Sequence, residues 1–156
     1  MKNHMFTSGS PDYTKDLGRK LASQLSQGDV IGLQGELGGG KTTFVQGLSE
    51  GLHLNKGYAV SSPTFTLVNE YPCQEGGALF HMDFYRLTNP LEAQTLGLDQ
   101  YFRGQGICVV EWFEKAKTAL PKDFLEIQFS WVSENARNIS MLAHGPRSQE
   151  ILLSFF

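Results

Sequence analysis

Apolar and polar positions along the chain follow two periods, and the changes of period mark its elements. Residues 30–33, Val-Ile-Gly-Leu, form a short apolar run rich in β-branched residues, as a buried strand does. A glycine-rich loop follows, and then Phe44, Val45, Leu48 and Leu52 recur at helical spacing, which predicts a helix over 41–52. Upstream, Leu17, Leu21 and Leu25 recur with Ala22 beside them, so 11–26 reads as an amphipathic helix. Ser10-Pro11-Asp12 supplies its start: a capping hydroxyl, a proline suited to the first turn, and an acid at the positive end of the dipole. Gln27-Gly28-Asp29 ends it.

Downstream the pattern is mostly that of strands. Phe65, Leu67 and Val68 among Thr and Tyr predict a strand entered by a turn at Pro63. A polar link over 73–77 and a second strand over 78–83 then make an antiparallel pair. Asn89-Pro90 opens a short helix over 89–98 that closes near Gly97. Residues 107–110, Ile-Cys-Val-Val, read as a strand buried on both faces. A helical piece over 113–119 stops at Pro121, and 124–129 and 139–143 alternate as partly buried strands. The apolar tail 151–156 receives no assignment. Strands interleaved with helices predict an α/β, P-loop NTPase-like three-layer fold, with a mixed, mostly parallel central sheet flanked by helices. No repeat, linker or low-complexity tract interrupts it, so 1–156 is expected to be a single domain.

Composition excludes several classes. Hydrophobic residues at 40% and charged residues at 19% are ordinary globular values. The net charge of −3, with no run of Lys or Arg, argues against independent tight binding to nucleic acid. Cys73 and Cys108 form no C-x-x-C, so neither a zinc site nor a redox pair is expected; both read as reduced thiols, with Cys108 a small core residue. The first ten residues have no apolar stretch of the signal-peptide kind, and no apolar run is long enough to cross a bilayer. A soluble, cytoplasmic protein with no membrane contact is the expectation.

The glycine loop carries the chemistry. Gly35-Glu36-Leu37-Gly38-Gly39-Gly40-Lys41-Thr42 satisfies G-x-x-x-x-G-K-[ST], between a strand and a helix. Glycines there turn successive backbone N–H groups toward one point, and the start of the helix adds unpaired N–H groups of its own. Lys41 supplies a mobile charge for the β- and γ-phosphates, and the Thr42 hydroxyl is placed for Mg²⁺. The nucleotide-binding stretch is therefore taken as 35–43, ending at Thr43. Ser10 and Pro11, just ahead of the first helix, stand where such a fold brings residues near a nucleotide base, alongside their capping role.

Hydrolysis needs more than a phosphate cradle: a metal held from a second direction and a group that orients water. Asp83 and Glu111 each follow an apolar strand directly, and strand ends of an open α/β sheet share the edge that carries the loop. Glu111 occupies the Walker B type of position. Thr64, in Ser61-Ser62-Pro63-Thr64, stands where a switch loop would offer a second hydroxyl, although a plain turn suits it as well. Arg86 follows Asp83 closely and Arg137 is expected in a polar loop; either is a candidate to neutralise γ-phosphate charge or to bind ribose and base, and Trp112 is a secondary candidate for a nucleotide or partner clamp. His81, two residues before Asp83 on the same strand face, reads as packing or hydrogen-bonding there.

Together, Gly35 to Thr43, Ser62-Pro63-Thr64-Phe-Thr-Leu-Val, His81-Met-Asp83-Phe-Tyr85-Arg86 and Glu111-Trp112 resemble the bacterial TsaE (YjeE) family over about 11–121. The resemblance implies an ATPase, using ATP and Mg²⁺, required for the threonylcarbamoyl modification of adenosine next to the anticodon of certain tRNAs. It also implies TsaD and TsaB as partners, with tRNA met only through their complex. Carried over by residue, Lys41 would hold phosphate, Thr42 and Glu111 would bind Mg²⁺, and Asp83 would support metal or water. Thr64 would act as the switch and Arg137 would lie near the nucleotide. Glu36 stands where the family commonly has Asp, Gly39 where it commonly has Ala, and Leu91 where an acid is frequent. Slow hydrolysis without partners is the expectation. A small-molecule kinase and a non-hydrolysing nucleotide-dependent binding module remain the alternatives, although no arginine-rich lid segment of the kinase kind is visible.

Overall fold

The computed structural model describes residues 3–36, 40–63 and 66–155. In chain order they form β1 (Asn3–Ser8), α1 (Pro11–Ala22), β2 (Val30–Gly35), α2 (Lys41–Gly51), β3 (Val68–Pro72), β4 (Ala78–Asp83), α3 (Pro90–Thr95), β5 (Gly106–Glu111), β6 (Leu125–Trp131), β7 (Arg137–Ala143) and α4 (Pro146–Ser154). Two 3-10 helices, Leu98–Arg103 and Phe113–Ala119, flank β5. The strands make a seven-stranded sheet in the order β1-β7-β6-β2-β5-β4-β3. Its centre, β6-β2-β5-β4, is parallel throughout, and the pairings of β7 with β6, β1 with β7 and β3 with β4 are antiparallel. β1 therefore runs with the central four, so the sheet is mixed and mostly parallel.

Alternation along the strands builds two cores. Ile31 and Leu33 of β2, Ile107 and Val109 of β5, and Leu125 and Ile127 of β6 pack on one face against Leu17, Leu21, Phe44, Leu48, Ile151 and Leu152 from α1, α2 and α4. On the other face Val30, Met82, Cys108 and Val110 meet Ala93, Leu98, Phe102, Phe113 and Ala116 from α3 and the 3-10 helices. This makes three layers, and β5, buried at every position, is covered on both sides as its unbroken apolar run requires. Cys108 is buried, Cys73 half-buried, and both are free thiols. Among the described residues no helix is long and apolar enough to cross a membrane.

Several boundaries differ from the pattern, each for a local reason. α1 ends at Ala22 rather than 26, because Ser23 Oγ donates to Lys20 O at 2.7 Å and the Asp29 carboxylate accepts from Ser26 N–H at 2.7 Å, giving the backbone another use for its polar groups. β3 begins at Val68: Leu67 takes a left-handed φ of 68° and donates its N–H to Pro63 O at 2.8 Å, while Phe65 lies outside the described residues. β6 and β7 run longer than expected, so Arg137 opens a strand instead of sitting in a loop. β1 carries little hydrophobic signal, since its inward-leaning residues include His4 and Ser8. The apolar tail is α4, started by Pro146 and capped by the distant Asp123, whose carboxylate accepts from Arg147 N–H at 2.7 Å and Ser148 N–H at 3.0 Å.

Candidate functional site

The parallel strands β2, β4 and β5 end at one edge of the sheet, and the register fixes what meets there. Glu111 is the Cα partner of both Leu33 on β2 and Asp83 on β4. Glu111 and Val109 share a face, as do Asp83 and His81, so both strand-end carboxylates are on the side of α1 and α2. Asp83 is 4% exposed and Glu111 7%, too buried to be read as merely solvated acids. Phe84 N–H donates to Glu111 O at 3.0 Å, and Asp83 Oδ1 accepts from Tyr85 N–H at 2.8 Å. The Asp83 carboxylate is thus held directly at its strand end, and Glu111 is tied there through its backbone carbonyl.

α2 starts at the same edge. Gly40 caps it in a left-handed conformation, φ 98°, that only glycine adopts without cost, and the helix then opens with Lys41. Lys41 is 6% exposed; its Nζ donates to Gly35 O at 2.7 Å and lies 4.5 Å from the centroid of the Trp112 ring. Trp112 itself is backbone-strained at φ 56°, with its indole edge-on to Tyr85 at 5.0 Å. A left-handed aromatic costs on the order of 1–3 kcal/mol, and such outliers gather at functional sites.

One cleft brings most of the sequence-derived residues together. Pro11, Gly40, Lys41, Thr42, Thr43, Asp83, Glu111 and Arg137 all line it. Arg137 sits close to the loop exit, since a Cβ added at Gly40 would lie 3.7 Å from Arg137 Cγ. Its Nη1 donates to Ser133 O at 2.6 Å and Ala136 O at 2.8 Å, which folds the guanidinium over the β6–β7 turn. Ser10 is spent as a cap, its Oγ accepting from Tyr13 N–H at 3.1 Å, and it does not line the cleft. Gly35 and Glu36 border the neighbouring groove behind Trp112. Leu37, Gly38, Gly39 and the switch candidate Thr64 lie outside the described residues.

Sequence reasoning missed Thr14, Ser62, Glu134 and Asn135, which also line the cleft, and ranked Trp112 as secondary. Thr14 is legible in retrospect, one helical turn beyond Ser10, and its hydroxyl lies 2.7 Å from Ser8 Oγ. Glu134 and Asn135 share the short turn that leads into Arg137, so that arginine's position carried a signal for them.

The donor set fits a hard divalent cation. Thr42, Asp83 and Glu111 offer oxygens only, and Mg²⁺ favours one or two such groups plus phosphates and water. Among the described residues no group of three or more His, Cys, Asp or Glu forms a self-contained metal cage. The described lining also carries three acids, Asp83, Glu111 and Glu134, against two bases, Lys41 and Arg137. A polyphosphate entering this cleft needs a further cation to balance it.

Comparison with known proteins points to one family. Residues 8–139 match the model of the family described as "Threonylcarbamoyl adenosine biosynthesis protein TsaE". The chain is similar to a Bacillus subtilis protein named tRNA threonylcarbamoyladenosine biosynthesis protein TsaE, 40% identical over 148 residues that cover 94% of this chain and 90% of that one. A Haemophilus influenzae protein of the same name is 36% identical over 127 residues, covering 81% of this chain and 77% of its own. Among solved structures, that of Bacillus subtilis YdiB superposes with a TM-score of 0.80 at 35% identity, covering 99% of this chain and 94% of that one.

Proposed function

Because the chain belongs to the TsaE family, we propose that it is a Mg²⁺-dependent ATP-binding protein and slow ATPase that serves the threonylcarbamoyl modification of adenosine in tRNA by acting on a TsaD–TsaB complex in the cytoplasm. The observation that carries the reading is the convergence of a buried Lys41, at the start of α2, with two buried strand-end carboxylates in one cleft.

In this account the N–H groups at the start of α2 and the Lys41 ammonium hold the phosphates. Thr42 and Glu111 would hold Mg²⁺, and Asp83 would support the metal or its water. Bound Mg²⁺ would neutralise charge on the phosphate oxygens. Arg137 and Pro11, which both line the cleft, stand beside the nucleotide. Slow turnover of the isolated chain follows if its catalytic constellation is complete only when the partners bind.

Calorimetric titration with ATP, in Mg²⁺ and then in EDTA, tests the reading. Wild-type protein is expected to bind, more tightly with Mg²⁺, and Lys41→Ala is expected to bind at least about tenfold more weakly, as loss of a charged hydrogen bond implies. Binding unchanged by Lys41→Ala overturns it.

A further inference from the structure

We propose that His81 is a positioning residue, which fixes the Glu111 carboxylate in the orientation it presents to the cleft; the inference rests on the nucleotide reading above. His81 Nε2 lies 2.6 Å from Glu111 Oε2 across adjacent parallel strands, and the two side chains are 2% and 10% exposed. A carboxylate accepts only, so the ring nitrogen facing it carries the hydrogen. One carboxylate oxygen is thereby pinned inside the protein.

His81 Nδ1 makes this more than packing. It is the one buried side-chain nitrogen or oxygen without a partner among the described residues. Buried polar atoms are nearly always paired, so an orphan calls for a reason. If the ring served stability alone, an apolar pair of similar shape would fill the space without stranding a nitrogen. What the imidazole adds, and an apolar side chain cannot, is the bond that holds Glu111. Groups that orient a metal ligand typically change metal affinity or activity about 10- to 100-fold when removed.

The fold supplies its own control. His144 Nε2 makes a similar contact to Glu126 Oε1 at 2.8 Å, near the Leu125–Ala143 pairing at the opposite end of β6 from the Trp131–Arg137 pairing beside the cleft. It shares the chemistry without the location.

The experiment is Mn²⁺ titration by electron paramagnetic resonance, with protein saturated in ADP. His81→Asn and His81→Leu are expected to weaken Mn²⁺ binding about 10- to 100-fold. His81→Gln, whose amide nitrogen reaches nearer the place of Nε2, should restore most of it, and His144→Asn should match wild type. ADP affinity in EDTA should be unchanged in all of them. Mn²⁺ affinity equal to wild type in His81→Asn and His81→Leu overturns the inference and leaves the nucleotide reading standing. A wild type that takes up no Mn²⁺ with nucleotide overturns both.

Should position 81 tolerate no substitution, ¹⁵N-histidine spectra of the wild type decide instead. The His81 Nε2–H resonance is expected downfield, shifted by Mg²⁺ with ADP, and moved in Glu111→Gln. A resonance indifferent to both overturns the inference.

Discussion

Lys41 Nζ stands 4.5 Å from the centre of the Trp112 ring while donating to Gly35 O at 2.7 Å. The lysine that phosphates would attract is thus held by a carbonyl and an indole face, both weaker partners than an oxyanion. Trp112 therefore reads the position of Lys41.

A fluorescence prediction follows from that contact. Nucleotide should draw Lys41 away from the ring and change tryptophan emission, and only Trp112 and Trp131 contribute to that signal. The response should survive Trp131→Phe and vanish in Trp112→Phe, and Lys41→Ala, which leaves no ammonium over the ring, should lose it as well. A full response in Trp112→Phe would contradict the assignment.

Stability should be sensitive where α1 and α2 touch. A Cβ on Gly47 would lie 2.0 Å from Lys15 O, a backbone atom that cannot move aside alone. Gly47→Ala gains about 1 kcal/mol of helix propensity, yet overpacking costs about 1–3 kcal/mol, and a clash this close falls at the upper end. Thermal melts should show Tm lower by roughly 5 °C. A raised Tm would mean that the helices are free to separate.

How far the sequence carried depends on whether a feature is local. The strand–loop–helix around Lys41 is written in contiguous residues, and Asp83 and Glu111 each close an apolar run, so the cleft's heart was legible. The helix cap at Ser10 was legible for the same reason. α4 was not: Pro146 and Ser148 mark its start locally, but much of its cap comes from Asp123, more than twenty residues upstream, which no local pattern announces. Nor was β1, an edge strand whose role is to pair with β7 and whose buried Ser8 faces Thr14. Glu134 and Asn135 reach the cleft only because β6 and β7 extend further than their apolar alternation.

The Asp123 clasp on α4 predicts an acid limit. Burial alone would raise the Asp123 pKa, but the bonds from Ser148 and Arg147 outweigh it and hold the carboxyl below its ordinary value. A depressed carboxylate contributes stability that is present above its unfolded pKa, near 3.9, and is lost as pH falls through the lower folded value. Asp123→Asn should therefore melt earlier than wild type at neutral pH, and the gap should close as pH falls below about 4. A gap that widens in acid would reverse the sign.

The central claim is that Lys41, Asp83 and Glu111 form an ATPase site used with partners. The direct test is phosphate release from ATP by purified protein, with and without TsaD and TsaB, comparing wild type with Glu111→Ala. The account predicts slow release alone, faster release with the partners, and loss of the increment in Glu111→Ala. Equal, unstimulated rates in every sample, or phosphate passed to a metabolite in place of water, would contradict it.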